Sequence, residues 1–171
     1  MPDLLTHALV GFVVGTALSW RDDRVTGPFV TLVMVGALSP DLNRIELLVP
    51  DPTVETLVGI PWTWVPLHRL GGTVLVVTVA ALLVDRRHRR LAVGLLAAGA
   101  TSHYALDFLL YKPSGLTSPL LWPFTVHRFA VEGIYVSSDR WPAVVAGVAA
   151  ICVWLIDRRL TLKSRTANRD G

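Results

Sequence analysis

The stretch TSHYALDFLLYKPSGLTSPLLWPF, Thr101 to Phe124, decides how the rest of the chain is read. It starts inside an apolar run from Leu91 to Leu110 that also carries His103 and Asp107. A run of about 20 such residues is long enough for a membrane-crossing helix, where ionisable groups are costly and mark functional positions by default. Residues four apart lie on one helical face, with Cβ atoms about 5–6 Å apart. An imidazole and a carboxylate so placed can hydrogen-bond each other, join two helices as polar glue, or bind one metal ion. Mixed nitrogen and oxygen ligands suit zinc, manganese or iron better than calcium or magnesium.

The surrounding chain supports a membrane setting. It has 171 residues, 52% hydrophobic and only 17% charged, against about a quarter charged in a soluble domain. Five apolar segments run from Leu4 to Trp20, Val25 to Leu38, Leu67 to Val84, Leu91 to Leu110 and Trp141 to Ile156. The expectation is an all-α, multi-pass transmembrane bundle of five spans, one domain over residues 1–160, with a cytoplasmic polar tail at 161–171. Several segments are short for an upright span and require local thinning of the bilayer or burial in a bundle. Pro40 ends the second. The first lacks a basic leader and carries Asp3, so it reads as a retained helix rather than a signal peptide. Cys152, the lone cysteine, reads as a packing residue.

Basic residues set the orientation. Arg21, Arg24, the four arginines of DRRHRR (Asp85 to Arg90) and the five Lys and Arg after Ile156 make eleven of the sixteen Lys and Arg, and all fall on one side of a five-span topology. That side is taken as cytoplasmic, with the C-terminus inside and the N-terminus outside the cell membrane. The net charge of +3 therefore reflects topology, and no nucleic-acid partner is expected. Tryptophans sit at segment ends, as in an interfacial belt.

On the outer side, four segments distant in sequence bring ionisable residues to similar depth: His7, Asp41, His68, and the pair His103 and Asp107. Each has a plainer role available. His7 can pack at the interface, Asp41 can cap a turn, and His68 can face headgroups. The convergence favours a divalent metal site, zinc or manganese, with three ligands and an open position for hydrolytic chemistry. His127 and Glu46 are outer-side residues of ordinary loop type. Arg69, Arg128 and Lys112 can hold an anionic substrate group or meet lipid headgroups.

At LLTHALVG, GALSPDLN, PLHRLGGT and SHYALDFLLYKPSGLTSPLLWPF the chain resembles the LexA-regulated inner-membrane metal-dependent hydrolases of the YdjM/YbcI type. The resemblance covers Leu4 to Phe124. It implies a site of His7, Asp41, His68, His103 and Asp107. Asn43 stands where the family has a second aspartate, and Thr73 where it has a second histidine.

The reading is a membrane-bound metal-dependent hydrolase acting near the outer leaflet on a phosphoester or other lipid-linked ester. Asp107 or Asp41 serves as the proton acceptor, and Arg69 and Arg128 bind the substrate. Membrane lipid, with a small or lipid-linked substrate, is the expected partner. The alternatives are a protein that binds or transports a divalent cation, a haem protein with paired histidines, and a family member that has lost activity. The two aspartates disfavour haem, and ionisable residues on one side only disfavour a carrier.

Overall fold

Helices form along the apolar runs, and proline is tolerated in them only in the first turn. The structure, a computed structural model, describes residues 3–167. Helix α1 spans Leu4–Ser19, opened by Asp3, whose carboxylate accepts from the Thr6 amide at 2.6 Å and its hydroxyl at 2.7 Å. Helix α2, Gly27–Leu38, begins with Pro28, which fits the first turn. A 3-10 stretch, Ser39–Leu47, and a short helix α3, Asp51–Val58, follow. Gly59 closes α3 at φ 75°, a left-handed conformation that glycine adopts without penalty. A 3-10 turn, Val65–His68, leads into α4, Leu70–Leu82. Then come α5, Arg89–Phe108, a long loop, and α6, Trp141–Ala167. Residues 168–171, the end of the expected tail, lie outside the described residues.

The architecture among the described residues is all-helical, with two isolated β-bridges, Leu110–Tyr135 and Leu116–Ala130, inside the long loop. Helix α2 packs between α1 and α5, α4 packs on α5, and α6 on α1. The α2–α5 contact is backbone to backbone. A Cβ added at Gly36 would strike the Leu96 carbonyl, and one at Gly99 would strike the Val33 carbonyl. Small residues thus set the interhelical spacing, a packing mode common where lipid removes the hydrophobic drive for association. Val33 and Leu96 fill the buried seam beside them.

One expectation is corrected by element length. No helix among the described residues is long and apolar enough to cross a membrane. Helices α1, α2 and α4 have 16, 12 and 13 residues, or roughly 24, 18 and 20 Å, short of the roughly 30 Å hydrocarbon thickness. The apolar runs are longer than the helices because their ends depart from helical geometry: Leu67 and His68 belong to the 3-10 turn, and Leu83 and Val84 to the turn after α4. Helix α5 is long enough, but it opens with Arg89 and Arg90 and carries Asp107. A second correction concerns Cys152. It is exposed, because α6 buries the face bearing Ala146 and Ala150.

The long loop closes over the start of α4. The amides of Leu70 and Gly71 donate to the carbonyls of Leu120 at 2.8 Å and Trp122 at 2.9 Å. This satisfies two of the donors that a helix leaves open at its N-terminus and fixes the chain just after His68.

Candidate metal centre

Two helical faces and two 3-10 stretches converge at one end of the bundle. On α1, His7 shares its buried face with Gly11 and Gly15, whose lack of side chain lets α2 come close. On α5, His103 and Asp107 continue the face of Leu96, Gly99 and Ala100. Asp41 lies in the first turn of the 3-10 stretch after α2. His68 ends the turn before α4, its Nδ1 3.0 Å from the Pro40 carbonyl.

The five side chains meet. Asp107 Oδ2 lies 2.9 Å from His68 Nε2 and 3.6 Å from His103 Nε2, and its Oδ1 lies 4.0 Å from His7 Nε2. Asp41 Oδ1 lies 3.7 Å from His68 Nδ1 and 4.0 Å from His103 Nε2. The His7 and His103 rings stack with centroids 3.8 Å apart. Two triads capable of holding an ion result, His7–His103–Asp107 and Asp41–His68–His103, and they share His103. Two atoms that both ligate one ion at about 2.1 Å are roughly 3.0–3.4 Å apart. Within the triads the separations of 3.6, 3.7, 4.0 and 4.0 Å exceed that range, so closing on an ion would require the side chains to draw together.

Hydrogen bonding fixes which atoms are available. The Ala37 carbonyl, 2.8 Å from His103 Nδ1, can only accept, so Nδ1 carries the proton and Nε2 presents its lone pair to the cluster. This is the usual way in which a metal-ligating histidine is oriented. His68 is more demanding, because both its nitrogens face acceptors, the Pro40 carbonyl and Asp107 Oδ2. A neutral imidazole has one N–H to offer, so its ring proton can serve only one of these two contacts.

Unmet bonding shows that a metal fits. Both nitrogens of His7, His103 Nε2, Asp41 Oδ1 and Asp107 Oδ1 are buried without a hydrogen-bond partner. Each such atom costs about 1–3 kcal/mol, and an ion coordinated by one His7 nitrogen, His103 Nε2 and the carboxylate oxygens would remove most of that cost, leaving the other His7 nitrogen unmatched. Closure is tight. The side chains of His7, Asp41 and His103 are 0% exposed, Asp107 5% and His68 13%, so the cluster opens to its surroundings through His68.

The other sequence candidates lie outside this cluster. Arg69 places its guanidinium 5.7 Å over the Trp122 ring. Arg128, Glu46 and His127 are exposed, and His127 packs edge-on against Phe129. Thr73 is buried, with its hydroxyl 2.6 Å from that of Tyr104. Sequence reasoning passed over Arg44, which ion-pairs with Asp41 at 3.2 Å from three residues along. It also passed over Tyr135, whose hydroxyl donates to the Leu106 carbonyl at 2.6 Å. Burial, then the Asp107 charge, pushes that hydroxyl's pKa up to about 12, so it stays a donor. The i,i+3 spacing of Asp41 and Arg44 was the one available signal; nothing local marks Tyr135, which arrives from 28 residues beyond Asp107.

The family model described as YdjM inner membrane protein matches residues 1–167. No curated protein and no solved structure matches the chain.

Proposed function

This chain belongs to the YdjM inner membrane protein family, and on that premise we propose that it is a membrane-embedded, metal-dependent hydrolase of a phosphoester or other lipid-linked ester. The observation that carries the reading is the set of buried, unpartnered ligand atoms on His7, Asp41, His103 and Asp107. An ion held there, zinc or manganese, would supply Lewis acidity and lower the pKa of a coordinated water. The chain's own groups do the rest. The Ala37 carbonyl holds His103 in the ligating tautomer. Whichever of Asp41 and Asp107 is less engaged takes the proton of the attacking water. Arg44 offsets the charge of Asp41. Arg69, and Arg128 on the loop beyond it, would hold the anionic group of a substrate arriving past His68.

The exposed apolar faces support embedding. Leu75, Val79 and Leu83 around α4, and Val144, Val148 and Ile151 on α6, are exposed large hydrophobics, and contiguous patches of that kind on a soluble surface would be a liability. The short helices α1, α2 and α4 would sit beside the longer α5 and α6 in a locally thinned bilayer. The excess of basic residues at one end supports a cytoplasmic C-terminus, with the His and Asp cluster on the outer side.

The closed geometry favours a second reading, a protein that holds a divalent cation without catalysis, because the three side chains at 0% exposure leave little room for substrate. The experiment is hydrolysis of a long-chain alkyl phosphate and of a phosphatidyl ester by zinc- and manganese-loaded protein in nanodiscs, with Asp107→Asn as control. Turnover that the substitution removes supports the hydrolase. Bound metal without turnover of either ester assigns the cation-holding role.

A further inference from the structure

The opposite end of the same helices carries a second constellation. A cavity of about 450 Å³ lies between the turn after α1 and the first turns of α5. The exposed Arg21, Arg24 and Arg90 line it together with Asp22, and the less exposed Leu18, Val25, Leu91 and Leu95 form its floor. A neighbouring cavity of similar size shares Arg24, Arg90 and Leu91 and adds Arg87. Not all of these charges are available. Asp22 grips Arg24 at 2.7 Å, and Asp85 lies 3.4 Å from Arg87. Arg21 and Arg90 make no ion pair among the described residues, and both face the first cavity. Gly94 lines it as well, with open space where a side chain would be.

We propose that this cavity binds an anionic phospholipid of the bilayer, its phosphodiester between Arg21 and Arg90 and the start of an acyl chain on the Leu18–Val25–Leu91–Leu95 floor. Two guanidiniums can grip one phosphate through paired N–H donors. The apolar floor directly beneath them distinguishes a lipid from a free anion. Basic pockets between membrane helices on the cytoplasmic side take anionic headgroups for the same reason. The site is independent of the His and Asp cluster, which occupies the other ends of α1 and α5.

The test uses the full chain extracted from vesicles of equal phosphatidylglycerol and phosphatidylcholine, with retained lipid counted by mass spectrometry. About one phosphatidylglycerol per chain is expected, enriched several-fold over phosphatidylcholine. Arg21→Gln with Arg90→Gln should bring the ratio to parity. Gly94→Leu, which fills the cavity without meeting a neighbour, should do the same at unchanged charge. Arg86→Gln with Arg159→Gln, an equal charge change away from the cavity, should leave the enrichment intact. Circular dichroism of each variant reports folding. Equal retention of the two lipids by the natural chain would overturn the proposal, as would enrichment that survives Gly94→Leu in a folded protein. Displacement of the lipid by millimolar inorganic phosphate would assign the arginines to a free anion and overturn it too.

Discussion

The two ends of α1 and α5 are rich in ionisable residues and treat them oppositely. At one end, His7, His103 and Asp107 are buried with several ligand atoms unmet, alongside Asp41 and His68. At the other, Arg24 pairs with Asp22 and Arg87 with Asp85, and both arginine side chains are 76% exposed. Both ends carry carboxylates beside nitrogen groups, so charge density alone does not separate them. Burial does, because a desolvated lone pair needs a partner and a solvated guanidinium does not. An unmet buried group is therefore a stronger pointer to a ligand than a dense charge run.

The largest expected effect would break the comparison outright. His103 belongs to both triads, so His103→Ala should abolish metal retention, from about one ion per chain to nearly none, after resupply with zinc or manganese. Asp107→Asn should do nearly as much while keeping the side chain's shape. Arg87→Gln at the other end should change nothing. Elemental analysis of the three purified proteins decides it. A natural chain that retains no metal would remove the distinction between the ends.

Packing supplies the next effect. Gly99→Val drives a side chain into the α2 backbone at the Val33 carbonyl. Overpacking against backbone should cost about 3 kcal/mol or more, a fall in Tm on the order of 6–12 °C. Gly94→Leu, on the same helix but facing open space, should leave Tm nearly unchanged. Equal losses at both glycines would mean that α2 and α5 are not in backbone contact.

These pairs show what could be read in advance. The five apolar segments coincide with α1, α2, α4, α5 and α6 because long apolar runs have one economical conformation when any proline, here Pro28 and Pro142, falls in the first turn. His7, Asp41, His68, His103 and Asp107 drew attention because each is an ionisable residue within or bordering an apolar run. Helix α3 was not legible, since Asp51–Val58 is short, polar in part and surrounded by prolines. Helix length was overread: hydropathy counts Leu67 and Val84, whereas backbone geometry excludes them. The tertiary partners had no local signature. Ala37 and Pro40 act through carbonyls, which any residue supplies, and Tyr104 meets Thr73 across two helices.

A smaller effect sharpens the boundary of the cluster. Thr73 stands where the sequence resemblance implies a second histidine, yet its hydroxyl bonds Tyr104. Thr73→Val leaves the Tyr104 hydroxyl without that partner, and Tyr104→Phe does the converse, each at about 1–3 kcal/mol. The double substitution should cost clearly less than their sum. Metal content should hold in all three variants. A drop in bound metal with Thr73→Val would place Thr73 within the coordination sphere.

The smallest effect lies at the arginine end. Hydrogen bonds from the Arg24 side chain, then from its backbone amide, lower the pKa of Asp22 to about 2. A carboxylate with a depressed folded-state pKa stabilises above its unfolded value, near 3.8, and loses that contribution as pH falls through about 2. The direction is fixed, but the pair is exposed, and solvent screening leaves surface ion pairs with little net effect. Asp22→Asn should therefore leave Tm at pH 7 within measurement error, and the natural chain and the variant should follow the same acid-unfolding curve between pH 4 and pH 2. A variant that loses several degrees at pH 7, with the loss fading as pH drops, would show that the Asp22–Arg24 pair holds the turn between α1 and α2. The two ends of the bundle would then differ in accessibility but not in structural weight.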